Sequence, residues 1–579
     1  MIRKLVRQML SAQIFSALTV SLCLLIDSVM ISRFLGEDAI AAYGLANPLL
    51  LSIGAIGTLL AAGVQVVCSR ALGRGSQKEA NIGYASALAA TAAISMVFLL
   101  AVIAMSSFLA RVMGAGRSGE LHTMTKEYLI GFSIGAPGSM GALVLVPFLQ
   151  MSGQSTLLIY AVLAMTVTDV TLDLLNVLVV HGGMFGMGLA SALSYYAAVI
   201  VSGFYLLSKK SVFRFKLKNV KPRMIARLFC NGVPAGINMI ASVILVFALN
   251  RMLRAMSGDS AVAAYTVYMA IGNAANCITT GTGGVSLTLC GVFFHEEDRS
   301  ALRETLRRLC RSGVVLGLGM GLILLVFAPA FISLFIPQEG KTQDMAVLGL
   351  RLFAAGLIPC CINNALKSAY QATGRPGLTE IISMLEGAVL PSLAAFVFSR
   401  FMGTTGVWIS FFAGESLMLM IIGIMIRRAG GEMPWKNGAF LLLRKDFGAK
   451  PEETLETDIT CLEDVTAAAE RAERFCLEHG QDARTGNHLA LCIEEMAGNV
   501  IRYGFQDGKP HHLSVLILNK PDHWVLRFRD DCRAFDPVRY VPREEEQALG
   551  IKLVLTLAED AYYTYSMNLN NLTLKLPRQ

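Results

Sequence analysis

Charged residues are scarce. Asp, Glu, Lys and Arg make up 16% of the 579 residues, where a soluble protein carries about a quarter. That deficit excludes a soluble enzyme, a secreted protein and a disordered scaffold. Cysteine pairs are also lacking. The 12 cysteines stand singly except for Cys360 and Cys361, none forms a CxxC, and several lie in apolar runs. There Cys behaves as a small hydrophobe, so neither a disulfide framework nor a zinc site is expected. Acid is absent from residues 209–227, which hold eight Lys and Arg. Basic residues, in turn, are few inside the apolar runs.

Hydrocarbon takes their place. Hydrophobic residues are 54% of the chain and the mean hydropathy is +0.55. The excess lies in about a dozen runs of roughly 20 residues, the length a helix rising 1.5 Å per residue needs to cross a bilayer. All of them fall before about position 430. The N-terminal run is too long for a signal peptide and is read as the first transmembrane helix. The net charge of +8 hides a split: residues 451–579 hold 14 basic and 22 acidic residues (−8), and residues 1–450 hold 36 and 20 (+16). A basic membrane part marks positive flanks on the cytoplasmic side, and the acidic tail argues against a nucleic-acid partner.

Twelve spans are expected near 11–34, 45–68, 85–112, 128–152, 157–181, 187–208, 229–253, 262–293, 311–336, 346–371, 378–399 and 405–427. Basic loops flank them on one side: Arg3, Lys4 and Arg7; Arg70, Arg74 and Lys78; residues 209–227; HEEDRSALRETLRRLCR; and Arg427, Arg428, Arg444 and Lys445. An even number of spans then puts both termini in the cytoplasm, with a bacterial plasma (inner) membrane as the location.

The chain repeats itself. LGEDAIAAY (35–43) matches SGDSAVAAY (257–265), with Gly36 over Gly258 and Glu37 over Asp259. FLQMSG (148–153) matches AYQATG (369–374), with Gln150 over Gln371, and GMFG (183–186) matches GTTG (403–406). The offsets of 222, 221 and 220 imply an internal duplication of six helices. The fold class is therefore an all-α polytopic membrane protein of two six-helix repeats, followed by a cytoplasmic α/β two-layer domain. Its parts are an N-lobe (1–208), a basic linker (209–228), a C-lobe (229–430), a second linker (431–454) and the tail domain (455–579). The two lobes, inserted the same way up, suit a carrier that rocks about a central cavity.

Ionisable groups inside a span cost at least ~2.5 kcal/mol each, so each is a functional candidate. Asp27 lies in the first span. Asp169 and Asp173 lie four apart on one face of the fifth, with Asn176 a turn further on. Two carboxylates one turn apart in low dielectric cannot both ionise cheaply, and a carboxylate that exchanges a proton or Na+ is a usual coupling device in secondary transport. In the second lobe Glu380 is read as lying near the membrane surface, and Glu386 and Glu415 as deeper. Repeat matching puts Leu390 and Ala394 under the fifth-span aspartates, so the acidic chemistry is expected to be asymmetric and concentrated in the N-lobe. Arg251 and Arg254 are read as snorkelling to the surface, and the Met-rich SLMLMIIGIMI as helix packing.

Twelve helices in two repeats, Asp27, the Gly36/Pro48 region, and FLQMSGQST followed by GMFGMGLASAL resemble the multidrug and toxic compound extrusion (MATE) family over residues 1–430. The resemblance implies that Asp27, Asp169 and Asp173 line an N-lobe cation site and that cargo exchanges against H+ or Na+. Many members carry Asn where this chain has Asp169, which leaves the ion open.

The tail alternates at 512–518 and 523–529, shows helical periodicity at 463–479, 486–503 and 546–559, and ends in a hairpin of YYTYSM and LTLKL. ALCIEEMAGNVIRYGF (490–505), Asp530 opening DDCRAFDP, and ALGIKLV (548–554) resemble the GHKL ATPase fold in its anti-sigma-factor kinase branch. The resemblance implies Glu495 as the water-activating carboxylate, Asn499 as an Mg2+ ligand, Asp530 as the adenine reader and Gly550 at the phosphates, with ATP and Mg2+ as cofactors. Cys532 stands where that family has glycine. The expected function is antiport of an organic, cationic or amphipathic solute, with the tail regulating it alone or through a protein partner. The alternatives are a membrane-anchored regulator acting through the tail, and a lipid-linked glycan flippase.

Overall fold

A computed structural model describes residues 2–35, 37–113, 115, 119–206, 208, 211–336, 340–430, 439–443, 447–508, 510–540 and 549–578. Gly36, Lys209, Lys210, Arg444, Lys445 and Ala548, and the side chains of Glu37, Pro48, Arg254 and Asp259, lie outside the described residues.

The first repeat runs α1 (Ile2–Phe34), α2 (Glu37–Gly73), α3 (Gln77–Val112), α4 (Glu120–Ser133), α5 (Ala136–Met151), α6 (Ser155–Leu175, continued by a π turn at Asn176–Val180) and α7 (Gly183–Leu206). The second runs α8 (Pro222–Ser257), α9 (Asp259–Ala275), α10 (Cys277–His295), α11 (Arg299–Ser333), α12 (Lys341–Ala372), α13 (Pro376–Met384, then a π turn at Leu385–Val389), α14 (Leu390–Met402), α15 (Thr404–Trp408) and α16 (Ser410–Gly430). Among the described residues 11 helices are long and apolar enough to cross a membrane, and α4 with α5, bent by 46°, makes a twelfth. The bend falls where Pro137, lacking an N–H, enters the first turn of α5. The span read as 262–293 is broken between α9 and α10. Large side chains such as Phe204 and Phe401, 77% and 82% exposed, point outward, as lipid-facing positions do.

The duplication is visible in the backbone. Gly153 and Gly374 take φ +73° and +82°, and Gly183 and Gly403 take +58° and +59°, so each matched pair has positive φ at the equivalent glycine, which glycine adopts without a steric penalty. The lobes meet on the side that carries the N-terminus, through small residues. A Cβ on Gly63 would lie 2.0 Å from Leu228 O, one on Gly232 2.1 Å from Leu59 O, and one on Gly291 2.1 Å from Ser69 Oγ. Glycine there lets backbones touch, the contact that drives helix association in lipid. Gln65 Nε2 donates to Gln150 Oε1 and to Thr288 Oγ1 (both 3.4 Å), and Gln150 Nε2 donates to Gln13 Oε1 at 2.7 Å. This buried seam therefore has paired polar groups.

The tail forms β1 (Thr454–Ile459), α17 (Leu462–Glu478), α18 (Ala483–Asn499), β2 (Leu513–Asn519), β3 (His523–Asp530), α19 (Leu549–Leu557), β4 (Asp560–Ser566) and β5 (Leu569–Pro577). The sheet is antiparallel with order β1-β2-β3-β5-β4. Its core joins Leu489 and Ile493 of α18 to Trp524, Leu526 and Phe528 of β3. Met567 and Asn568, both at positive φ (57° and 59°), close the β4–β5 hairpin as a tight two-residue turn does. One expectation is corrected: TLETD, read as the end of a polar linker and the start of the domain, is the edge strand β1, paired Thr454 with Leu518 through Ile459 with Leu513. Its acidic side chains hid it, because charge on an edge strand blocks further pairing instead of marking a loop.

Candidate functional site

Asp27 on α1 and Asp169 and Asp173 on α6 are 4%, 3% and 0% exposed. The four-residue spacing lays both α6 carboxyls on the face that meets α1, and the Asp27 carboxyl lies within hydrogen-bonding reach of the other two. Ser191 Oγ of α7 donates to Asp27 Oδ2 at 3.4 Å. Asp27 Oδ1, Asp169 Oδ1 and both oxygens of Asp173 receive no donor, and the charges that bear on Asp27 are the other two carboxylates. Three such groups cannot all ionise together unless a proton or a cation is shared among them. Tyr195 of α7 stands close enough to feel Asp169 and Asp27. Ser191 falls inside the segment that carries the family resemblance, but no periodicity in α7 singled out it or Tyr195.

Asn176, read with the trio, bonds the backbone of the turn that follows. Its Oδ1 accepts from Gly182 N at 3.0 Å and its Nδ2 donates to Gly183 O at 3.1 Å, so the amide is spent closing the turn between α6 and α7. A Cβ on Gly186 would lie 1.8 Å from that Oδ1.

The C-lobe holds charge chemistry of its own: Glu386 and Glu415, read as deep, are buried, and Lys367 was not foreseen. Lys367 Nζ of α12 pairs with Glu386 Oε2 at 2.9 Å, with both side chains under 10% exposed. Glu415 of α16 accepts from Asn363 Nδ2 at 2.8 Å, and Cys360 Sγ completes a group of three possible metal ligands with the two glutamates. Lys367 escaped notice because it stands alone in the apolar end of α12, 19 residues from its partner. Leu390 and Ala394, aligned with the N-lobe aspartates, are buried and apolar.

A family model described as MatE matches residues 12–175 and again 234–397. The second match starts 222 residues after the first (234 against 12), the spacing of the LGEDAIAAY pair. The chain belongs to the MatE family. Multidrug export protein MepA of Staphylococcus aureus (strain NCTC 8325 / PS 47) is 24% identical over 396 residues, 67% of this chain and 86% of that protein. DETOXIFICATION 44, chloroplastic, of Arabidopsis thaliana is 22% identical over 362 residues, 62% of this chain and 68% of that protein. A solved outward-facing multidrug resistance MATE transporter of the MOP superfamily superposes with TM-score 0.67 at 19% identity, over 72% of this chain and 94% of that one. A MOP superfamily transporter from Pyrococcus furiosus gives 0.66 at 19%, over the same shares. At that identity the likeness to the solved structures is one of fold.

The first MatE match contains Asp27, Asp169 and Asp173, and the tail lies outside both. In the tail, Glu495 and Asn499 end α18, one turn apart. A Cβ on Gly550 would lie 1.8 Å from Glu495 Oε2, so glycine is what lets the start of α19 close on that carboxylate. Asp530 ends β3 as expected. Its Oδ1 accepts from Asn570 Nδ2 at 2.7 Å and Cys532 N at 3.0 Å, and burial holds its carboxyl above the usual range against those bonds. Asn570, on the neighbouring strand β5, is the partner the sequence did not reveal. Residues 541–548, which precede α19, lie outside the described residues.

Joining the tail to the MatE repeats is a buried contact. On β3 and β5, Arg527, Arg529, Asn571 and Thr573 alternate with core residues and face the other way, yet all are under 10% exposed. The loop between α10 and α11 covers them. Arg529 pairs with Glu296 and, at 3.3 Å, with Asp298 Oδ2. Arg527 Nη2 donates to Glu296 O at 2.9 Å, and Asn571 bonds Glu296 Oε1. Burial works to raise Asp298, but Arg529, Arg527 and the Ala301 N–H that it caps hold its carboxyl below the usual range. The N-lobe is gripped as well. Met567 N donates to Met151 O at 2.7 Å, Asn568 Nδ2 to Gly153 O at 2.9 Å, and Lys4 Nζ of α1 pairs with Asp531 at 3.1 Å.

Proposed function

We propose that this chain is a secondary active antiporter that exports an organic, cationic or amphipathic solute in exchange for H+ or Na+. The observation that carries this reading is the trio Asp27, Asp169 and Asp173, buried at the α1–α6 contact with four oxygens that no donor reaches. Such a site costs stability unless a proton or cation occupies it. A carboxylate that loads on one side of the membrane and releases on the other ties the rocking of two lobes to an ion gradient. MepA, the relative named for multidrug export, supports the cargo class. The basic loops support cytoplasmic termini in a bacterial plasma membrane.

In this reading the tail regulates transport. Because it holds residues of both lobes, it favours the arrangement in which their terminus-bearing ends are together, and it must let go of one lobe for that side to open. Glu495, Asn499, Asp530 and Gly550 would hold ATP and Mg2+, whose binding energy could shift that balance. A pure membrane anchor has no use for three unpaired buried acids. A flippase for an anionic headgroup needs free positive charge in its spans, and Lys367 is neutralised by Glu386.

The test is efflux of a lipophilic cationic dye from proteoliposomes under imposed H+ or Na+ gradients, with wild type beside Asp173→Asn. Gradient-driven efflux in wild type alone supports the antiporter and names the ion. A broad panel of dyes left unmoved by both proteins overturns it.

A further inference from the structure

Between the lobes and the tail lies a cavity of about 970 Å³, the size of a pocket that encloses a small molecule. Five separate parts of the chain build it, one of them the segment between α16 and β1 that carries Leu442, Leu443 and Phe447. Arg70 and Arg74 come from the end of α2 in the N-lobe, His295 and Glu297 from the loop after α10 in the C-lobe, Arg375 from the α12–α13 turn, and Lys520 from the tail. Phe294 and Phe447, stacked with ring centroids 4.7 Å apart, make an apolar wall. The charge is lopsided. Among the described residues Glu297 is the one acid of the lining, and Lys520 is already paired with it. Arg70, Arg74 and Arg375 form no ion pair among the described residues. The Arg70 Nη2 bonds Gln371 O at 3.2 Å, while its buried Nε has no partner. The positive charges of Arg74 and Arg70 both bear on His295, and the one acid among the described lining residues is taken by Lys520.

We infer that this cavity is a binding site for a phosphate-bearing anion, which bridges the N-lobe, the C-lobe and the tail where they meet. Guanidinium groups match phosphate oxygens with paired, charge-assisted hydrogen bonds. An anion here removes the mutual repulsion of three arginines drawn from both lobes, and so favours the docked, closed arrangement over any state that separates Arg74 from Arg375. The same headgroup chemistry is presented by a free phosphate ester and by an anionic phospholipid. The site is distinct from the proposed nucleotide site around Asp530 and does not rest on it.

The experiment uses full-length protein in nanodiscs and reads its melting temperature. One arm adds inorganic pyrophosphate to protein in phosphatidylcholine discs. The other compares phosphatidylglycerol discs with phosphatidylcholine discs without added anion. Wild type is run beside the Arg74→Gln/Arg375→Gln double variant, whose side chains are exposed and bond no part of the fold among the described residues. Stabilisation by pyrophosphate, with affinity about tenfold or more weaker in the variant, assigns the site to a soluble anion. Stabilisation by phosphatidylglycerol alone, lost in the variant, assigns it to a lipid headgroup. Absence of both effects in wild type, or effects equal in wild type and variant, overturns the inference. Asp530→Ala, tested with pyrophosphate, keeps the two sites apart, because it leaves this response intact.

Discussion

Arg529 of β3 and Asp298 at the head of α11 stand 231 residues apart and form an ion pair at 3.3 Å, buried at the junction of tail and C-lobe. Asp298 is also the cap of α11, so the tail holds the start of a transmembrane helix through the residue that terminates it.

Replacing Arg529 by Met leaves Glu296 and Asp298 buried without their ion-pair partner. Loss of one partner of a buried pair costs about 3–5 kcal/mol, enough to undock the tail while its own core stays folded. Hydrogen exchange should rise in the α10–α11 loop and along β3 and β5. Unchanged protection there would show that the contact holds the tail by other means.

Acid should release the same contact. The docked Asp298 carboxyl sits below its ordinary value, so its contribution is present above about pH 3.9, the undocked value. It is lost as the pH falls through the lower docked one. Cross-linking between the α10–α11 loop and β3 is expected to hold at pH 6 and to fall away only in strong acid.

His511 works in the opposite sense. Burial disfavours its charged form, but Asp507 and Asp531 on either side raise it above the usual imidazole range. Its contribution is therefore full below about pH 6.5 and fades as the pH rises through the raised value. Melting curves of wild type across this range should slope where those of His511→Gln are flat.

Lys367→Met leaves Glu386 alone in the membrane interior and should cost about 3–5 kcal/mol. Lys367→Met with Glu386→Leu removes both charges and should recover most of the melting temperature. A double variant as unstable as the single one would mean that the pair does more than balance charge.

Asn176→Ala should lower stability by about 1–3 kcal/mol, because it strips partners from Gly182 N and Gly183 O. Dye efflux by the protein that remains folded should keep the wild-type ion dependence. A change in which ion drives efflux would return Asn176 to the coupling site.

What could be read from the chain alone was local or periodic. Runs of about 20 apolar residues, the offset of some 220 between repeats, the four-residue step from Asp169 to Asp173 and the alternation in β2 and β3 all follow from one helix pitch, one strand period or one copied segment. They need no knowledge of what lies opposite. Lys367 with Glu386, Asn176 with its turn, β1 on the sheet edge and Arg529 with Asp298 depend on which surfaces close on each other. Nothing within a window of sequence marks Arg529 as buried, since its strand alternates as though one face met water. Only the tertiary structure sets the loop after α10 against that face. There the loss of hydration makes a surface-looking arginine part of the interior, and makes its two carboxylates necessary.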